Sequence, residues 1–247
     1  MMTVIPAIDL RGGRCVRLRQ GDFARETVYA DDPLALASSY ADGGFDRLHV
    51  VDLDGARSGE QRHQAIVSQI VDGTGLMVQL GGGIRNRDTL AAWLEAGVAR
   101  CIVGSMAASE PDTVAGWFEA HGAEAIVLAL DVRTREGGDP VLSIHGWTRD
   151  AGMTLWQAIE RFRPAGLRHV LCTDVGRDGT MSGPNLALYE ALATRYPELE
   201  IQASGGVRGV DDLAALRAAG CTAAVTGRAL MDAAVTPAEV MSFLRGA

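Results

Sequence analysis

GGIRNRDTLAAWLEAGVARCIVGS (Gly82–Ser105) lies over GGVRGVDDLAALRAAGCTAAVTGR (Gly205–Arg228) without a gap, and ten of the 24 positions are identical. The offset is 123 residues, and other landmarks keep nearly the same distance: Asp9 maps to Asp131 and Asp52 to Asp174, both 122 residues further on. The chain therefore reads as two similar halves, about 1–122 and 123–247. Each copy runs from glycines into a helical pattern. Leu90, Trp93 and Leu94 fall at i, i+3, i+4 within Asp88–Ala96, and Leu213 and Leu216 repeat the spacing within Asp211–Ala219. Gly97 and Gly220 stop the two helices.

The same alternation of short apolar runs and Ala/Leu-rich helical patterns fills the rest of the chain. The candidate strands are Val4–Asp9, Arg47–Leu53, Met77–Leu80, Arg100–Val103, Ala125–Asp131, His169–Asp174, Glu200–Ala203 and Ala223–Thr226. Most are apolar on both faces, as strands of a parallel sheet covered by helices must be. Four strand–helix units per half close into one (β/α)8 TIM barrel, whereas two separate small domains would leave open sheet edges. No Pro/Ser-rich linker marks the midpoint, so a single barrel domain over 1–247 is expected. The longest irregular stretch, Arg133–Gly152, reads as a lid-like loop.

With 247 residues, 47% hydrophobic and 22% charged, the chain has the length of one such barrel. A net charge of −8 argues against a nucleic-acid or anionic-membrane partner, which would want a basic face. Any anionic ligand has to be held locally. Cys15, Cys101, Cys172 and Cys221 are far apart and form no CxxC pair, so they are expected as small buried hydrophobes in a reducing cytoplasm. No signal or membrane span is read, and a barrel of this size is expected to be a monomer.

Leu80-Gly81-Gly82-Gly83 and Ser204-Gly205-Gly206 end corresponding strands, and Gly104-Ser105 and Gly227-Arg228 end the strands that follow. Glycines there let backbone amides approach a bulky anion, and this pair of loops is the usual phosphate site of such barrels. The pattern occurs twice, on opposite sides of the barrel mouth, so a ligand bridging the cradles carries two phosphates. A flavin mononucleotide would use one cradle only, which leaves a flavin oxidoreductase open at this point.

Asp9 and Asp131 end the first and fifth strands, across the barrel from each other, where their carboxylates can flank one bound sugar as acid and base; a strand-end Asp can equally cap the next turn. Asp178 lies in Thr173–Thr180 (TDVGRDGT), with Thr173 and Gly179 as further ligand contacts, and its first-half counterpart is Asp52-Leu53-Asp54-Gly55. Arg17 and Trp147 fall on the first and fifth loops, where each either closes on a ligand or serves as a solvated charge or loop anchor. His49, His63, His121, His145 and His169 form no metal triad and are read as structural.

Over essentially its whole length the chain resembles the histidine-biosynthesis isomerase family that acts on phosphoribosylformimino-aminoimidazole carboxamide ribotide. The resemblance rests on IPAIDLRGG (Ile5–Gly13), VRLRQGD (Val16–Asp22), VVDLDGA (Val50–Ala56), QLGGGIR (Gln79–Arg85), VGS (Val103–Ser105), TDVGRDGT, ASGGVR (Ala203–Arg208) and TGRAL (Thr226–Leu230), in this order. It implies a barrel of the ribulose-phosphate-binding type, no cofactor, and an Amadori rearrangement of an aminoaldose to an aminoketose. It also implies Asp9 as proton acceptor, Asp131 as donor, and Asp178 as a further essential group or rival donor. The sister cyclase family shares the repeat and the first and fifth aspartates. VRLRQGD and the Gly-Trp of the fifth loop resemble the isomerase, where the cyclase would carry a lysine-rich first loop. Some relatives also isomerise phosphoribosylanthranilate.

Overall fold

The computed structural model describes residues 2–19, 21–134, 137–144, 146–147 and 149–246. Gln20, and His145 among the histidines read as structural, lie outside the described residues. The strands in chain order are β1 (Thr3–Arg11), β2 (Arg14–Arg19), β3 (Asp22–Ala30), β4 (Arg47–Asp52), β5 (Met77–Gly81) and β6 (Arg100–Val103). They continue with β7 (Ile126–Arg133), β8 (Val141–Ile144), β9 (Arg149–Thr154), β10 (His169–Asp174), β11 (Glu200–Ser204) and β12 (Ala223–Thr226).

Eight of them, β1, β4, β5, β6, β7, β10, β11 and β12, pair in parallel around a closed ring, with β12 returning to β1 through Thr3 opposite Ala223. The fold is a (β/α)8 TIM barrel. Strand alternation splits its apolar residues into two sets. Val4, Ile8 and Leu10 of β1 face the helices with Leu48, Val50 and Leu128, while Ile5, Ala7, Ile102, Val127, Leu171 and Val225 pack inside the ring. A residue two positions beyond Ala7, or two beyond Ala129, therefore points inward at the mouth. Those residues are Asp9 and Asp131.

The repeated helices form at Arg87–Glu95 and Val210–Ala218, one residue from the expected bounds. Gly97 and Gly220 follow them with φ of +88° and +91°, the left-handed stop that the sequence suggested. All four cysteines are buried and unpaired with one another. Among the described residues no helix is long and apolar enough to cross a membrane.

The structure fills in the first loop and corrects the expectations for the stretch after β7, for the strand-end aspartates and for the end of β4. The first loop is a hairpin: Gly12 and Gly13, both at positive φ, turn the chain so that Val16 pairs with Asp9 and Arg14 with Arg11, and β3 pairs in turn with β2. The stretch expected as an irregular lid after the fifth barrel strand is likewise largely paired, with Leu142 of β8 opposite Val132 of β7 and Asp150 of β9 opposite Ser143. These added strands carry β1 and β7 two residues past Asp9 and Asp131, which sit just inside the strand ends instead of at them. The first helix after β4 starts at Leu53, capped by Asp52, so Leu53 is not part of that strand.

Candidate active site

One cavity of about 810 Å³ occupies the C-terminal mouth of the barrel. Asp9, Asp131 and Asp178 line it, and so do Arg17, Trp147, Thr173, Gly179 and Arg228. Both glycine cradles reach it as well, through Gly82, Gly83, Gly104 and Ser105 on one side and Gly205, Gly206 and Gly227 on the other.

The two half-barrels give their aspartates different partners. Asp9 Oδ2 accepts from Arg17 Nη1 at 3.1 Å, and Arg17 Nη2 lies 3.8 Å from Asp178. Arg17 thus sits on strand β2, in the hairpin that forms the first loop, held between two carboxylates. Asp131 Oδ2 accepts from the Trp147 indole N–H at 2.8 Å, and Thr173, in register with Asp131 on β10, stands beside it. Trp147 follows Gly146 in the turn between β8 and β9, both with positive φ, and its carbonyl accepts from Arg133. A bulky residue at φ +68° is strained, and strain of this kind persists where the surroundings hold it in place.

Burial raises the pKa of both carboxyls above the usual range. For Asp9 the burial effect is opposed by the Arg17 charge and reinforced by Asp178. For Asp131 it is opposed by the hydrogen bonds from Trp147 and Thr173 and again reinforced by Asp178. Two inward carboxyls that hold protons more readily than free aspartates, one beside a cation and one beside neutral donors, make an acid–base pair chemically feasible.

The first-half counterpart of the Asp178 loop does something else. Asp52 accepts from Gly55 N and His63 Nδ1, both at 2.8 Å, and Asp54 accepts from Gly12 N at 2.7 Å, tying the β1–β2 turn to the next loop. His63 Nε2 accepts from Gly13 N at 3.0 Å, so this histidine is structural as read. Asp174, the repeat of Asp52, accepts from Gly176 N at 2.9 Å and from Asn185 Nδ2 at 2.7 Å.

The cradle glycines have a reason that the sequence reading did not supply. A Cβ on Gly82 would lie 2.1 Å from the Asp52 carbonyl oxygen, and one on Gly206 would lie 2.4 Å from that of Gly183, both at positive φ. Glycine is required there by the packing of consecutive loops, whatever ligand binds. Gly227 makes room for a side chain, since its Cβ would stand 2.8 Å from Arg17 Nη1. Short helices at Ser105–Ser109 and Arg228–Met231 begin at the cavity, so their unpaired N–H groups open toward it. Arg228 Nη1 donates to the Gly179 carbonyl at 2.7 Å and draws the loop after β10 over the second cradle.

Among the charged and titratable residues of the cavity, sequence reasoning missed three. Arg57 and Arg85 stand by the first cradle, and Arg85 is the arginine of the repeated GGIR/GGVR word, a signal that was available. Its repeat, Arg208, is instead bound by Asp212. The third is His49, which lines the cavity although it was read as structural. The inner face of β4 puts it there.

The family model described as histidine biosynthesis protein matches residues 3–236. The chain belongs to that family. Histidine biosynthesis proteins of this kind are TIM barrels, and the closed eight-stranded ring agrees with the match.

Proposed function

We propose that this histidine biosynthesis protein is an intramolecular aldose–ketose isomerase. On this reading it converts the aminoaldose phosphoribosylformimino-aminoimidazole carboxamide ribotide to the corresponding aminoketose. The observation that carries the proposal is the pair Asp9 and Asp131, inward-facing on opposed strands of one cavity and flanked by two glycine cradles. A sugar phosphorylated at both ends would span the cradles and leave its reacting carbons between the carboxyls.

In the proposed scheme an acidic carboxyl, that of Asp131 or its rival Asp178, protonates the ribose ring oxygen, and the ring opens to a Schiff base. Asp9 then takes the proton from the second carbon, and collapse of the enol to the ketone completes the rearrangement. Each positioned proton transfer contributes roughly 10²–10⁴ in rate. Both steps move protons between carboxyls and sugar, which requires no cofactor. We further propose that the enzyme is cytoplasmic, which four buried, unpaired thiols suit, and that it is a monomer.

Incubating the protein with the aminoaldose alone, and separately with the aminoketose plus ammonium, tests the assignment by absorbance. Aminoketose formation in the first mixture is expected. Turnover only in the second would identify the ring-forming sister activity and overturn it. A third mixture with phosphoribosylanthranilate reads out whether the same cavity serves a second substrate.

A further inference from the structure

His49 is a titratable group of the cavity, and its one histidine among the described residues, that the scheme above leaves without a task. It stands on the inner face of β4, in register with Ala7 of β1 and Gln79 of β5, 7% exposed. Gln79 Nε2 lies 2.9 Å from His49 Nδ1 and 2.8 Å from Gln202 Oε1. An amide nitrogen has only protons to offer, so Nδ1 must accept, and a neutral ring that accepts at Nδ1 carries its proton on Nε2. Gln79 and Gln202 are 123 residues apart, the spacing of the internal repeat, so equivalent residues of the two halves meet inside the barrel. Both are buried. Burial, and after it the charge of Arg17, lower the His49 pKa to about 4, which keeps the ring neutral at physiological pH.

A neutral imidazole with a fixed N–H suits one event in the isomerisation. The oxygen on the second sugar carbon begins as a hydroxyl and ends as a ketone, which has no proton of its own and must accept. The opposite tautomer would set a lone pair against it. We propose that His49 donates through Nε2–H to this oxygen, and that Gln79, held by Gln202, is the positioning residue that fixes the tautomer. His49 gives up no proton in this role. The inference rests on the isomerase reading, but its first test does not.

Imidazole nitrogen spectra of the full chain labelled with ¹⁵N-histidine, with His49 assigned by its loss in His49→Gln, should show a neutral Nε2–H ring at pH 6 to 8. An Nδ1–H ring, or a protonated one, would overturn the inference. In Gln79→Met the same signal should spread over both tautomers, and an unchanged signal would remove Gln79 from its role. In turnover of the aminoaldose, His49→Phe should lose roughly 10²-fold in kcat with little change in KM, the usual cost of one preorganised donor. His49→Gln, which keeps an N–H donor, should recover most of that loss. The double variant His49→Phe/Gln79→Met should be no slower than His49→Phe alone, because Gln79 acts only through His49. Wild-type kcat in His49→Phe, or additive losses in the double variant, would count against the role. Absence of turnover in the wild-type protein would defeat the isomerase reading, and the nitrogen spectra would still decide where the His49 proton sits.

Discussion

Asp9 and Asp131 hold equivalent places in the two half-barrels, yet one meets a guanidinium and the other an indole and a hydroxyl. Burial acts on both in the same direction, and Asp178 adds its charge to both. The difference lies in what opposes that rise. A full positive charge beside Asp9 favours its ionised form, also against the phosphate charge that the proposed substrate would bring into the mouth. Asp131 has only neutral donors, so the same incoming negative charge pushes it toward the protonated form. A duplicated backbone can thus supply a base on one side and an acid on the other, because the hairpins added after β1 and β7 differ in a few side chains.

The sharpest way to break this comparison is to neutralise each carboxyl in turn. Asp9→Asn and Asp131→Asn should each lower kcat by roughly 10²–10⁴, with substrate affinity largely kept. Isothermal titration beside steady-state rates checks this, and loss of binding alone would assign the residue a structural role. The glycine cradles differ next. Gly82→Ala drives a Cβ into the Asp52 carbonyl at 2.1 Å, whereas Gly205→Ala meets that of Asp174 at 3.1 Å. The first should cost about 2 kcal/mol or more in urea unfolding, since strain at positive φ adds to the clash, and the second clearly less.

Removing the partners of the carboxyls should shift pH limbs in distinguishable ways. Arg17→Gln withdraws the charge that lowers the Asp9 pKa, so the acid limb of kcat/KM should move to higher pH. Trp147→Phe withdraws a donor from ionised Asp131, so the limb at which the acid loses its proton should also rise, while the acid limb stays. Each should cost roughly 10-fold in rate, the usual worth of a hydrogen bond to a charged group. Equal shifts of the acid limb in both variants would show that the two sites are not separately tuned.

The smallest effect concerns stability. A carboxyl whose pKa is raised in the folded state contributes stability that is fully present below its unfolded value of about 3.9 and is lost as pH rises through the folded value. Asp131→Asn carries no charge at any pH. It should therefore match the wild type in acid and exceed it at pH 7, a gain of the kind seen when function is traded for stability. An equal difference at both pH values would mean that burial of the charge is not what raises Asp131.

The sequence by itself determined the barrel. Short apolar runs, helical spacing and glycine stops are local, and an offset of 123 residues needs no coordinates to be seen. It also marked the cavity, since every candidate taken from the repeated words lines it. Three things were decided only by the tertiary structure, because each depends on groups far apart in the chain. The strand bearing Arg17 pairs with β1, β8 ahead of Trp147 pairs with β7 and β9 behind it pairs with β8, and single hairpin strands of mixed polarity leave little periodic signal. The glycines of the cradles are fixed by carbonyls more than twenty residues away, as Gly82 is by Asp52. His49 looks like one more apolar-strand histidine until closure of the ring brings Gln79 and Gln202 together, because the side to which a ring proton points is settled by the neighbours that the barrel assembles.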